Sequence, residues 1–182
     1  MRRWWMAIIV FAVAAIGAHF ATVYALPGII MDRAQAQLSE RGADPYTWLA
    51  SPQQTPQTQQ IVRPSPDLSY AICLFDMADG AVLISAPAWE GYASLSVFDA
   101  RTNNVFVTSL DGQDGRVLLH NPAVPLIEEG RFYLKGDEPV VTLKGKGLAL
   151  IRRVAPGAQR HAAAESLIEE SVCAPVNWSP GG

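Results

Sequence analysis

The chain has 182 residues, 49% hydrophobic and 17% charged, with 14 Lys+Arg against 17 Asp+Glu for a formal net charge of -3. That length fits one domain, with or without an extra segment, and excludes two full domains. Charged residues fall short of the roughly one quarter usual in soluble chains, and no basic run or stripe is present, which excludes nucleic-acid binding by backbone electrostatics.

Residues 4–26 carry no charged side chain and are interrupted only by Gly17, His19 and Thr22. As a helix this stretch spans roughly 34 Å, enough to cross the roughly 30 Å of hydrocarbon in a bilayer. Arg2 and Arg3 precede it, Trp4 and Trp5 fall at one aromatic belt and Tyr24 at the other. The positive-inside bias predicts a single pass with the short N-terminus in the cytoplasm and everything after Leu26 outside. A cleaved signal peptide is the alternative: the two arginines make an n-region and Val23-Tyr24-Ala25 a permitted cleavage site, although secretory apolar cores run about 7 to 15 residues. Either way the remainder is exported. Pro27-Gly28 is expected to end or bend the helix at the outer interface. His19, the one ionisable group in the span, is read as neutral near the interface or packed on a partner helix, against a functional intramembrane group.

Ile30, Ala34 and Leu38 recur every four residues between polar side chains, predicting a short amphipathic helix that Gly42 stops. Residues 50–60 have no apolar periodicity and two prolines, the composition of a linker. The expected organisation is a transmembrane anchor over residues 1–30, a short helix and polar linker over 31–60, and an exported β domain over 61–182. Without residues 1–31 the chain keeps 12 Lys+Arg against 17 Asp+Glu, a formal -5.

The rest reads as mainly β. Tyr70 to Phe75 and Ala81 to Ser85 are apolar runs joined by a segment ending in Asp-Gly, which predicts a hairpin. Gly91 to Phe98 alternates Ala93, Leu95 and Val97 with Ser94 and Ser96, a strand with one wet face. Further strands are expected at Val105 to Leu110, Val117 to His120, Arg131 to Leu134, Val140 to Leu143 and Leu148 to Val154. Short, evenly spaced strands between turn residues predict a β-sandwich-like domain. Ala164, Leu167, Ile168 and Val172 share one face of a predicted closing helix. Cys73 and Cys173 either pair in the oxidising exterior or leave Cys73 as a small buried apolar residue.

Common catalytic signatures are absent: no P-loop, dinucleotide fingerprint, HExxH, paired CxxC or GxSxG elbow. No cofactor is expected, and three histidines, one of them in the span, leave no multi-His metal site. Lys144-Gly145-Lys146-Gly147 lies between two β runs and reads as a turn rather than a phosphate cradle. Trp89 and Tyr92, flanking Glu90-Gly91, either pack at a strand end or contact a sugar-like or lipid-like ligand. Asp99 to Asn104 is the densest polar cluster. Asp99 and Asn103 suit turn closure through local backbone N–H groups, while Asp76, Asp99 and Arg101 together would supply an acid, a base and an anion clamp for hydrolase or lyase chemistry.

Residues 62–76, Gly80-Ala81-Val82, and Gly91-Tyr92-Ala93-Ser94-Leu95-Ser96-Val97-Phe98-Asp99-Ala100 followed by Thr102-Asn103-Asn104 resemble the bacterial domain of unknown function 1254 family. The resemblance implies a β-sandwich-like domain, often exported or membrane-attached. It also implies that short members work beside a separate protein carrying the second β domain of the longer members. This chain resembles the first domain of the long form, preceded by an anchor. The expected partners are therefore the bilayer, through residues 4–26, and a protein carrying a complementary β domain. The expected function is protein interaction in the envelope, with a periplasmic enzyme or a small-ligand-binding module as alternatives.

Overall fold

A computed structural model describes residues 2–55, 64–123 and 139–176. The apolar N-terminal stretch forms a single helix, α1 (Arg2–Glu40), 39 residues long with Pro27 inside it. Pro27 does not end the helix. It removes one N–H and leaves the Val23 carbonyl without its usual donor, but the helix formers Ala34, Gln35, Ala36, Gln37 and Leu38 follow, and Met31 and Gln35 are buried. The predicted amphipathic helix is thus the distal part of α1. Gly42 stops it as expected: at φ 93° it takes the left-handed conformation, with its N–H donating to the Ser39 carbonyl and the Ala43 N–H to the Leu38 carbonyl.

Among the described residues nine strands follow: β1 (Trp48–Ala50), β2 (Leu68–Asp76), β3 (Val82–Ala86), β4 (Ala93–Phe98), β5 (Asn104–Ser109), β6 (Gly115–His120), β7 (Val140–Thr142), β8 (Lys146–Val154) and β9 (Val172–Pro175), with helix α2 (Gly157–Ser166) between β8 and β9. They form a five-stranded sheet ordered β1-β2-β8-β4-β5 and a four-stranded sheet ordered β7-β6-β3-β9. Neighbours are antiparallel except β6 with β7. The domain is mainly β, and one apolar cluster takes side chains from both sheets, including Cys73, Phe75, Leu95, Val97 and Ile151 from the first and Ile84, Val117, Leu119 and Cys173 from the second.

Four local expectations change. The two apolar runs at β2 and β3 do not form a hairpin: β2 pairs with β1 and β8, and β3 with β6 and β9. A 3₁₀ turn, Met77–Asp79, capped by Asp76 and released through Gly80 at φ 118°, carries the chain from one sheet to the other. The serine face of β4 is not wet, since Ser94 and Ser96 are buried. β4 lies between β8 and β5, and Arg152 from β8 reaches across, its Nη2 donating to Ser96 Oγ at 3.5 Å. The closing helix follows Pro156 as predicted but ends at Ser166, earlier than predicted, and Val172 and Cys173 lie on a strand that pairs with β3. Ala162, Ala163 and Ala164 favour the earlier helix, whereas Val-Cys-Ala-Pro is poor helix sequence. Finally, the first sheet begins before residue 61, because Trp48 to Ala50 pair with Ala71 to Cys73. The strand predicted at Arg131 to Leu134 and the end of the linker, residues 56–60, lie outside the described residues.

Candidate functional site

Asp76 closes β2 and caps the 3₁₀ turn: its Oδ1 accepts the Ala78 N–H at 2.9 Å. Its carbonyl accepts the Tyr46 hydroxyl at 2.6 Å. Asp99 closes β4. Its Oδ1 accepts the backbone N–H groups of Arg101 and Asn103 at 2.8 and 2.9 Å, and its Oδ2 accepts Asn103 Nδ2 at 2.8 Å. Partial burial pushes this carboxyl up, but the bonds from Asn103 and Arg101 and the Arg101 charge outweigh it, so the acid sits below its ordinary value. A carboxylate with three bonds from its own turn already on it is committed first to organising that turn.

Arg101 points elsewhere. Its Nη2 donates to the Tyr24 carbonyl of α1 at 3.2 Å, and its guanidinium stacks 4.3 Å from the centre of the Tyr24 ring. Asp76 and Asp99 stand at the same end of the first sheet, since Asp76 pairs with Lys146 and Phe98 with Leu148 on the intervening β8. Each is spent on a separate turn. The three residues are not brought together as an acid, base and anion clamp.

Trp89 and Tyr92 also part. Trp89 is buried in the core cluster, its Nε1 donating to the Val154 carbonyl at 3.0 Å and its ring stacked by Arg160 at 4.9 Å. Tyr92 is 58% exposed. Of the two, Tyr92 is the one that offers its ring to solvent. A disulfide joins Cys73 on β2 to Cys173 on β9, with Cα atoms 6.5 Å apart, and so ties the two sheets.

Sequence inspection passes over the least ordinary polar group, Arg153. It is 1% exposed. Its Nη1 donates to the Ala164 carbonyl of α2 at 3.4 Å and its Nη2 to the Pro87 carbonyl after β3 at 3.2 Å. Burial pulls its guanidinium down to about 10, partly opposed by Glu170. The signal was period two: Ala149, Ile151, Arg153 and Ala155 alternate onto the inner side of β8 and its exit, and all four are buried.

Openings among the described residues lie near these groups, two of them lined by charged side chains singled out above or their neighbours. One, of about 690 Å³, lies between β5 and the ends of β3 and β6, with Asp114, Arg116 and Glu170 on its walls. Asp114 is already committed there, accepting the Ala88 N–H at 2.9 Å. The other, of about 640 Å³, separates the distal part of α1, at Asp32, Gln35 and Ser39, from Tyr46, Asp76 and Lys146. Among the described residues, no three His, Cys, Asp or Glu side chains are grouped to hold a metal ion. The geometry supports anchoring and packing roles more directly than bond-making chemistry.

Residues 47–175 match the family described as "Protein of unknown function (DUF1254)". Among solved structures, the VPA0106 protein from Vibrio parahaemolyticus is similar, with a TM-score of 0.63 at 15% identity. The match covers 89% of this chain but 41% of that one, so the chain spans less than half the length of this solved neighbour. At that identity the likeness is one of fold. No curated protein matches.

Proposed function

We propose, from the premise that this chain belongs to the DUF1254 family, that it is a single-span envelope protein whose exported β domain binds a second β domain carried by a partner chain. The N-terminus lies in the bacterial cytoplasm, residues 4–26 cross the inner membrane, and the β domain stands in the periplasm. The apolar helix is long enough for the span, and Arg2 and Arg3 supply the positive-inside bias.

The observation that carries the partner is the asymmetric match: 89% of this chain lies on 41% of a longer protein of the same fold. A β domain embedded in a longer chain meets its neighbours covalently. A neighbour of that kind on a separate chain is met by docking, and the bilayer raises the effective concentration of two partners confined to it. Asp76, Asp99 and Arg101 each hold a separate local contact, which favours docking over catalysis.

A mild-detergent pull-down of the tagged full chain tests the proposal. A second β protein recovered in stoichiometric amount is expected. Repeated recovery of the chain as a lone monomer overturns it.

A further inference from the structure

We infer that the β4–β5 turn and the open edge of β5 form a contact face for phospholipid headgroups, with Arg101 as a phosphate ligand. This rests on the anchoring reading above. Along α1, Tyr24 meets Arg101 and Gly28 approaches the Ala100 carbonyl, while Asp32 to Ser39 face Asp76 and Lys146 across a gap. In the sheet the order runs β2-β8-β4-β5. The helix therefore passes the strand ends in sequence, with β2 opposite its distal part and the β4–β5 turn opposite Tyr24. β5 is the edge nearest the apolar span, and β1 the farthest.

Tyr24 sets the depth. It lies roughly 30 Å along the helix from Trp4, the hydrocarbon thickness of a bilayer, so the two aromatics fall at opposite interfaces. A guanidinium held 4.3 Å from the Tyr24 ring sits at the same level. Arg101 uses one face on the ring and one N–H on the Tyr24 carbonyl, and the planar fork of an arginine has further N–H donors suited to phosphate oxygens. The nearby acid does not take them by hydrogen bonding, because Asp99 accepts from Asn103 and the Arg101 backbone. Among the described residues β5 pairs with β4 alone, and it exposes Val107 at 59%. An unpaired, apolar strand edge is unfavourable in water and is ordinarily covered. A headgroup layer covers it here.

The test uses the full chain in phospholipid vesicles doped with a nickel-chelating lipid, spin-labelled at Thr102→Cys in the turn or at Thr47→Cys beside β1. Alkaline carbonate extraction comes first: a chain that washes off the vesicles overturns the anchoring reading, and this inference with it. With the chain retained, the headgroup nickel is expected to relax the label at 102 strongly and that at 47 weakly. In the Arg101→Gln background the enhancement at 102 is expected to be lost. Equal relaxation at the two positions in an anchored chain overturns the contact face alone, and an unchanged 102 signal in Arg101→Gln overturns the phosphate role.

Discussion

Burying Arg153 costs the domain free energy wherever the side chain is charged. With the folded value near 10, well below the ordinary guanidinium value, the cost is about 3 kcal/mol where the side chain is charged in both states. The sign follows from proton binding. Between the two values the unfolded chain holds the proton more tightly than the folded one, so stability rises with pH across that window. The side chain is nevertheless not dispensable, because it satisfies the carbonyls of Pro87 and Ala164 and so joins the end of β3 to α2. Replacing it with methionine removes the buried charge and leaves two carbonyls without this donor, each costing about 1–3 kcal/mol if it stays buried and unpaired. Arg153→Met is therefore expected to be destabilised slightly near neutrality. Its deficit should grow by roughly 1 kcal/mol from about pH 9 to about pH 11, as the native protein sheds its desolvation cost and the variant does not. Urea unfolding in detergent followed by circular dichroism measures this, and parallel curves for the two proteins would disprove it.

At the scale of elements, β9 is a four-residue strand that, among the described residues, lies at the edge of the second sheet and pairs only with β3. Four residues contribute little pairing of their own, so the bond to Cys73 is what fixes β9 there. The disulfide closes a loop of 100 residues, for which chain entropy gives roughly 4–5 kcal/mol. In a Cys73→Ala/Cys173→Ala variant, amides of β9 are expected to exchange hydrogen early while the long β2–β8 pairing stays protected. Unchanged protection at β9 would remove the disulfide from this role.

The same elements show what the sequence made legible. Strand positions could be read because alternation and turn residues are local, and so could the Gly42 stop and the turn-closing work of Asp99. Pairing could not. β2 pairs with β8 at separations of 70 (Asp76 with Lys146) to 86 positions (Leu68 with Val154), and nothing within Tyr70 to Ser85 separates a hairpin from a crossover between sheets. Arg101 was legible as a turn residue, but its partner Tyr24 lies 77 positions earlier on a helix. Arg153 was hidden by the ordinary expectation that a charged residue in an alternating strand faces water.

For the whole molecule, the arrangement bears on whether the apolar segment is kept. A leader peptidase would cut after Val23-Tyr24-Ala25 and needs that segment extended in its cleft. In this protein those residues lie in the middle of a 39-residue helix. The Tyr24 carbonyl and ring are held by Arg101, and two turns further on Met31 is buried, 4% exposed. Cleavage after Ala25 would remove the Tyr24 side of the Arg101 contact and leave the distal part of α1 without its proximal turns, a short isolated helix of marginal stability. The chain is thus expected to keep its N-terminus after export, as an anchor that also sets the height of the β domain above the bilayer. Intact-mass spectrometry of protein extracted from membranes checks this. A mass for the full sequence, with or without the initiating methionine, is expected; a mature chain starting at Leu26 would mean that the helix only delivers the domain and that the contact between Arg101 and Tyr24 is lost on maturation.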